Sequence, residues 1–133
     1  MARPAAATCL AAGLAGVVLG ACQPAGAPGA VAARHEGVET LLLADDIVNL
    51  KVRMSGPASD DDLLAYASCA AARHALDRGY GFARHVRTSV QSEGGVRIAD
   101  AVYTVSPTLP RGLQTIDAEV TVAGCAEQGI PTV

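Results

Sequence analysis

The sequence predicts an α+β domain of two layers, with one helix packed on an antiparallel sheet and the elements in the order β-β-α-β-β-β. Several stretches alternate apolar and polar residues with period two, and one stretch places apolar residues on a helical face between clear start and stop signals. The chain has 133 residues with three Tyr, one Phe and no Trp, which suits one small domain with a thin core. A signal peptide and a flexible tether are predicted to precede the domain.

Two strands open the predicted domain. Residues 38–44 form an apolar run, and Asp45 and Asp46 follow it as a plausible turn. Residues 48–54 then alternate apolar with polar side chains, which is typical of a half-buried strand.

The helix that follows has the clearest local signals. Ser59 is a good N-cap, and Asp62 stands at the capping-box position, in a run of three aspartates that suits the positive end of the helix dipole. Gly79 is typical of the left-handed residue that ends a helix. His74 is interpreted as a packed histidine rather than a general base, because no nucleophile is predicted to face it. The predicted buried face is mostly alanine: Leu63, Ala67, Ala70, Ala71 and His74.

Three more strands are predicted after the helix. Residues 82–90 and 96–105 alternate in the same way and are joined by a hairpin signal at residues 93–95. Residues 114–123 are predicted as the last strand, because Ile116 and Val120 alternate with polar neighbours.

Residues 1–21 have the features of a secretory signal peptide. Arg3 gives a positive start, an apolar stretch follows at residues 10–19, and small residues come before Cys22. The apolar stretch is shorter than the about 20 residues that a spanning helix needs, so a membrane anchor helix is the less favoured alternative.

The end of this segment, Leu19-Gly20-Ala21-Cys22, resembles the lipobox of bacterial lipoprotein precursors. The resemblance implies cleavage before Cys22 and lipidation of its thiol; the alternative is an ordinary signal peptide that leaves Cys22 as a spare thiol. Two or more acyl chains hold a protein stably at a membrane. Gln23 replaces the Asp that commonly retains such proteins in the inner membrane, so the resemblance implies the periplasmic face, in the inner leaflet of the outer membrane.

Residues 22–36 are predicted to be the lipidated Cys and a flexible linker rich in Pro, Gly and Ala, because these residues prevent regular structure. His35 is expected to be solvated there. The folded domain is predicted to span residues 37–133.

The remaining cysteines are expected to form a disulfide. Cys9 leaves with the signal peptide and Cys22 takes the lipid, so Cys69 and Cys125 remain in a compartment that oxidises thiols. A metal site is the less favoured alternative, because zinc sites often use short CxxC-like pairs and the chain has none. No metal and no cofactor are predicted.

The charge of the chain limits its partners. A net charge of −3 argues against nucleic-acid binding. Cationic residues on the polar phase of the strands would form one basic face if the strands adjoin, and such a face could bind lipid phosphates or an anionic envelope polymer. The favoured alternative is an ordinary solvated face that Asp117 and Glu119 neutralise. The possible anion-binding residues are Lys51, Arg53, Arg87 and Arg97, with His85 beside them.

The segments Tyr66-Ala67-Ser68-Cys69-Ala70-Ala71-Ala72-Arg73 and Gly79-Tyr80-Gly81-Phe82 resemble a group of small uncharacterised Gram-negative lipoproteins, over roughly residues 38–105. The resemblance implies the same fold and an envelope location, and it brings no activity. We therefore expect a non-enzymatic lipoprotein, held by its acyl anchor, that serves as a structural or interaction module with an envelope protein or polymer. The alternatives are an envelope ligand-binding or stress- and redox-sensing module, and a hydrolase, for which no catalytic signature is recognisable.

Overall fold

The structure, a computed structural model, describes residues 31–132. It confirms the predicted α+β class, with helices on an antiparallel sheet. The predicted signal peptide and the lipidation site at Cys22 lie outside the described residues. No helix in the described part is long and apolar enough to cross a membrane. The elements are β1 (Arg34–Ala44), β2 (Ile47–Ser55), α1 (Asp60–Asp77), β3 (Phe82–Glu93), β4 (Val96–Ser106), β5 (Thr115–Asp117) and α2 (Ala118–Glu127).

The sheet has five strands in the order β1-β2-β4-β3-β5, and every neighbouring pair is antiparallel. Two hairpins, β1–β2 and β3–β4, meet along the β2–β4 pairing. Helix α1 connects the hairpins and packs on one face of the sheet. The opposite face is therefore called the open face below.

The core lies between α1 and the sheet. Its largest fully buried side chains are Tyr66, Leu50, Leu63, Val48 and Val52. The predicted alanine face of α1 is confirmed, since Ala67 and Ala71 are fully buried. Small side chains on the helix let its backbone lie close to the sheet, which compensates for the small area that each alanine removes from water.

The ends of α1 are also as predicted. The Ser59 hydroxyl accepts a hydrogen bond from the Asp62 backbone N–H at 3.1 Å, and the Asp62 carboxylate accepts one from the Ser59 N–H at 2.8 Å. The backbone hydrogen bond from Ser59, aided by that from its hydroxyl, lowers the pKa of Asp62. At the other end, Gly79 has a φ of +78° and donates its N–H to Leu76, so the helix ends where the glycine predicts.

The predicted last strand, residues 114–123, is wrong for most of its length. Only Thr115–Asp117 is a strand, and helix α2 follows. The Asp117 carboxylate caps this helix by accepting the Val120 N–H at 3.1 Å. Ala118 and Cys125, which are buried, also fit a helical spacing, so the alternation alone did not decide between strand and helix.

The start of the domain differs from the predicted boundary as well. Strand β1 begins at Arg34, inside the predicted linker at residues 22–36. His35, expected to be solvated, instead lies half-buried with its ring edge against Tyr66, with ring centroids 4.6 Å apart. The buried ring of Tyr66 therefore packs against the beginning of β1 and helps to hold it in the sheet.

Candidate functional site

Part of the predicted basic surface exists on the open face. Lys51 lies opposite Asp100 of β4, and Arg87 lies opposite Val102, on the side of the sheet away from α1. Arg53 forms an ion pair with Glu39 at 3.2 Å, and Arg87 lies 3.9 Å from the Asp100 carboxylate. The cations on this face are thus interleaved with carboxylates.

The prediction that Arg97 belongs to the basic face is wrong. Arg97 lies opposite the buried Met54, on the helix side of the sheet. Its guanidinium donates a hydrogen bond to the Ala58 carbonyl at 2.8 Å and forms an ion pair with Asp60. Arg97 therefore ties β4 to the first turn of α1.

The expected neutralising residues are also different. Asp117 ends β5, but its carboxylate caps α2, and Glu119 lies in the first turn of that helix; within residues 31–132 neither forms an ion pair with a cation of the open face. Glu39 and Asp100 neutralise cations of the open face instead.

Cys69 and Cys125 form the predicted disulfide. The bond joins α1 to α2, with the two Cα atoms 6.0 Å apart, and each residue is only 3% exposed. Helix α2 packs mainly against α1 and contacts the sheet through β5, so this bond lies within the main contact between α2 and the rest of the domain.

A cleft of about 420 Å³ lies between α1 and the end of the sheet formed by β3, β4 and β5. It is called the His85 cleft here, because His85 lies at the centre of its polar contacts. Most of its wall is apolar, with a few hydroxyl and amide groups. The lining residues are Leu64, Ala65, Ser68, His85, Tyr103, Gln114, Thr115 and Ile116.

Both ring nitrogens of His85 have partners. Nδ1 lies 2.7 Å from the Gln114 side-chain oxygen, and Nε2 lies 2.6 Å from the Thr88 hydroxyl. The neutral ring satisfies both contacts when Nδ1–H donates to Gln114 and Nε2 accepts from Thr88. The imidazole is thus held in one orientation, with its edge toward the Tyr103 ring at a centroid distance of 5.2 Å.

Tyr103 forms the floor of the cleft. Burial raises the pKa of Tyr103 to about 12, and the hydrogen bond with the Ser68 side chain opposes this shift. The phenol therefore stays protonated at neutral pH. The buried hydroxyl of Thr115 has no hydrogen-bond partner within residues 31–132.

Two backbone irregularities produce this arrangement. A bulge between His85 and Arg87 leaves Val86 as an extra residue, so His85 and Thr88 lie on the same face although they are three positions apart. Gln114 has a φ of +61°, which non-glycine residues rarely adopt, and its carbonyl accepts the His85 N–H at 3.1 Å. The prediction that His85 lies on the basic face beside Arg87 is therefore wrong: it assumed regular alternation, whereas the bulge puts His85 on the helix side of the sheet, opposite Tyr103. No residue pattern marks the bulge.

His74 is half-buried, in agreement with its interpretation as a packed histidine. It borders a groove of about 150 Å³ beside the Arg73–Asp77 ion pair. Burial lowers the pKa of His74, Arg78 lowers it further, and Asp77 opposes the shift. Its Nε2 has no partner within the described residues.

The fold and its cleft define a two-layer α+β domain whose two helices are joined by a disulfide. Residues 35–129 match the model of the YNQ4 C-terminal domain family, a range that runs from the start of β1 past the end of α2. The chain belongs to this family.

A relative in Paracoccus denitrificans bears the name "uncharacterized 26.9 kDa protein in nqo8 5′ region". It is 34% identical to this chain over 88 residues, and the match covers 66% of this chain and 34% of the relative. The chain thus spans about a third of that relative's length. No solved structure matches the chain.

Proposed function

We propose that this protein is a lipid-anchored lipoprotein of the bacterial envelope, with the domain serving as a non-enzymatic structural or interaction module. The observation that carries the proposal is the buried Cys69–Cys125 disulfide, because such bonds form and persist in oxidising compartments. Export to such a compartment requires a signal, and the apolar segment that ends at Cys22 has the features of one.

The anchor would be the acylated Cys22, so the membrane lipid is the first partner. Strand β1 begins at Arg34, and the chain from Cys22 to that strand can reach at most about 40 Å. A domain on such a tether can meet an envelope protein at some distance from the bilayer surface. This geometry supports an interaction role at the periplasmic face, for which we propose the inner leaflet of the outer membrane.

Redox sensing is a weaker candidate. A sensor needs an exposed, activated thiol, whereas Cys69 and Cys125 are both buried. Their position between α1 and α2 favours a structural role. A reduction potential below that of the glutathione pool would agree with a structural bond, and a potential near it would favour sensing.

Binding of an anionic polymer to the open face is also a weaker candidate. Arg53 and Arg87 already have carboxylate neighbours there, which favours an ordinary solvated face. A binding assay with lipopolysaccharide at falling salt concentration tests this, with Lys51→Glu and Arg87→Glu together as the variant. Loss of binding in that variant would favour the polymer.

The anchor is tested with two single cysteine variants of the full chain in a Gram-negative host. Cys22→Ser removes the proposed lipid site, and Cys9→Ser is its matched control, because Cys9 lies in the part that is cleaved away. Cells are fed an alkyne fatty acid and then fractionated. We expect labelled, membrane-bound protein for the wild type and Cys9→Ser, and neither label nor normal processing for Cys22→Ser. A Cys22→Ser protein that is labelled and retained like the wild type would overturn the proposal.

A further inference from the structure

We infer that strand β1 pairs with β1 of a second copy of this chain, in antiparallel orientation and with Thr40 of each copy opposite Thr40 of the other. The pairing joins the two five-stranded sheets into one. Such an interface has two-fold symmetry, and each copy contributes the same residues to it. The inference concerns the folded domain and does not depend on the lipid anchor.

Strand β1 lies at one edge of the sheet, and no strand lies beyond it within residues 31–132. The backbone groups of such an edge can pair with another extended chain along its length. Bulges, Lys or Pro often protect an edge. In β1 the bulges lie near the two ends, after His35 and after Leu42, and residues 37–42 between them contain neither Lys nor Pro. The one charge in this stretch, Glu39, is already paired with Arg53 at 3.2 Å.

Three consecutive leucines make the second half of β1 apolar on both sides of the sheet. Leu41 lies on the open face, opposite Asn49, whereas Leu42 lies on the helix side, opposite the buried Val48. Leu41, Leu42 and Leu43 are 57%, 48% and 53% exposed. A sheet face that stays in water normally carries polar residues. Contact with a second strand would remove part of these leucines from water, which is favourable.

The charges at the ends of β1 favour a second copy as the partner. Arg34 begins the strand, and its side chain is 71% exposed although it lies 3.5 Å from Glu36. Asp45 and Asp46 follow the end of the strand, are exposed, and form no ion pair within the described residues. Antiparallel pairing of two copies brings the cationic start of each strand beside the acidic residues that follow the other. Strand β1 is therefore complementary to itself.

The register that centres on Thr40 also matches the other side chains. Val38 of one copy then lies opposite Leu42 of the other on the helix side, which is an apolar pair. The extra residue of one bulge, Glu36, lies beside that of the other, Leu43, so the two strands stay aligned to their ends.

Other antiparallel registers are less favourable. A shift of two residues in one direction puts Glu39 opposite Glu39 of the second copy, and a shift in the other direction puts Glu36 opposite Asp46. Like charges directly opposite each other are destabilising. A shift of one residue would place opposing side chains on different faces of the joined sheet. The side chains thus select the register centred on Thr40.

Cysteine cross-linking tests the pairing and its register. The full chain is purified in detergent with Cys9→Ser and Cys22→Ser, so that an introduced thiol is the only free one and lipidation plays no part. Thr40→Cys should give a disulfide-linked dimer on mild oxidation, because opposite Cβ atoms lie about 4.5–5.5 Å apart. Leu42→Cys, exposed on the same side of the same strand, is the control and should give little dimer, because its two thiols lie about 13 Å apart. Equal yields for the two variants, or no dimer for Thr40→Cys, would overturn the inference.

Charge reversal tests whether the strands recognise each other through their ends. Arg34→Asp and Asp46→Arg, each combined with Thr40→Cys, bring like charges together twice in the dimer. Each variant alone should therefore dimerise about tenfold more weakly than its parent. An equal mixture of the two restores both unlike pairs and should recover most of the parent's yield. A mixture that dimerises no better than either variant alone would contradict self-pairing.

Sedimentation velocity on the same unlipidated chain, without an added cysteine, measures association directly. We expect a dimer for the parent chain and a monomer for Thr40→Lys, which places two ammonium groups opposite each other. Ser92→Lys is the control, because it adds the same charge to an exposed part of β3 beyond its pairing with β5, and it should leave the dimer intact. A monomeric parent chain would overturn the inference and favour a strand from another protein. Far-UV circular dichroism checks that each variant is folded.

Discussion

Removal of the disulfide is expected to lower the free energy of unfolding by about 4 kcal/mol. Cys69 and Cys125 are 56 residues apart, and a cross-link of that span restricts the unfolded chain by about this amount in the chain-entropy model. Small domains have only about 5–15 kcal/mol in total, so the loss would be a large share. The double variant Cys69→Ala with Cys125→Ala removes the bond and leaves two small apolar side chains in the buried positions.

Urea unfolding followed by circular dichroism measures this effect. Three samples are compared: the oxidised protein, the same protein in reductant, and the double alanine variant. The last two should agree in stability, and both should show a steeper dependence on urea, because an unfolded chain without the cross-link exposes more surface. A loss below about 1 kcal/mol would refute the reasoning that the bond stabilises the domain by restricting the unfolded chain.

Three further predictions concern the packing of the domain. Burial raises the pKa of Tyr103 from 10.0 to about 12, so the protonated phenol contributes up to about 2–3 kcal/mol to the free energy of unfolding below pH 10, and this contribution is lost as the pH rises to about 12. Tyr103→Phe should abolish this fall in stability between pH 10 and 12 in unfolding experiments. Ser59→Ala should cost about 1 kcal/mol in urea unfolding, because the N-cap bond of α1 is lost, and a cost near zero would contradict the capping role. Ala71→Leu should lower the free energy of unfolding by about 1–3 kcal/mol in thermal unfolding, because it overpacks the contact between α1 and the sheet. Ala126→Leu, at an exposed position of α2, is the control and should lower it little. Equal losses for the two variants would contradict the close packing of α1 on the sheet.

The elements with local signals could be predicted from the sequence. Helix α1 was predicted with both ends, because Ser59 and Asp62 determine its start and Gly79 its end, each through hydrogen bonds to residues nearby in the chain. Helix α2 was missed because its apolar residues fit two periods at once. Asp117 decides between them as an N-cap, and the disulfide at Cys125 then holds the helix against α1.

The features of the candidate site that follow from residue type, such as the disulfide, could be predicted from the sequence, whereas those that depend on backbone conformation could not. The Cys69–Cys125 bond followed from the number of cysteines and the expected compartment. The His85 cleft was missed, because it depends on an extra residue in β3 and on the left-handed backbone of Gln114. Both are set by how the strands meet, and a one-residue shift in phase moves a side chain to the other face of the sheet.

The central claim is that this domain is held at a membrane by an acylated cysteine. Mass spectrometry of the N-terminal peptide of protein purified from Gram-negative membranes tests it most directly. The account predicts that the mature chain begins at Cys22 and carries the added mass of a diacylglyceryl group, with or without a further acyl chain. A mature chain that begins at another residue, or an unmodified thiol at Cys22, would contradict it.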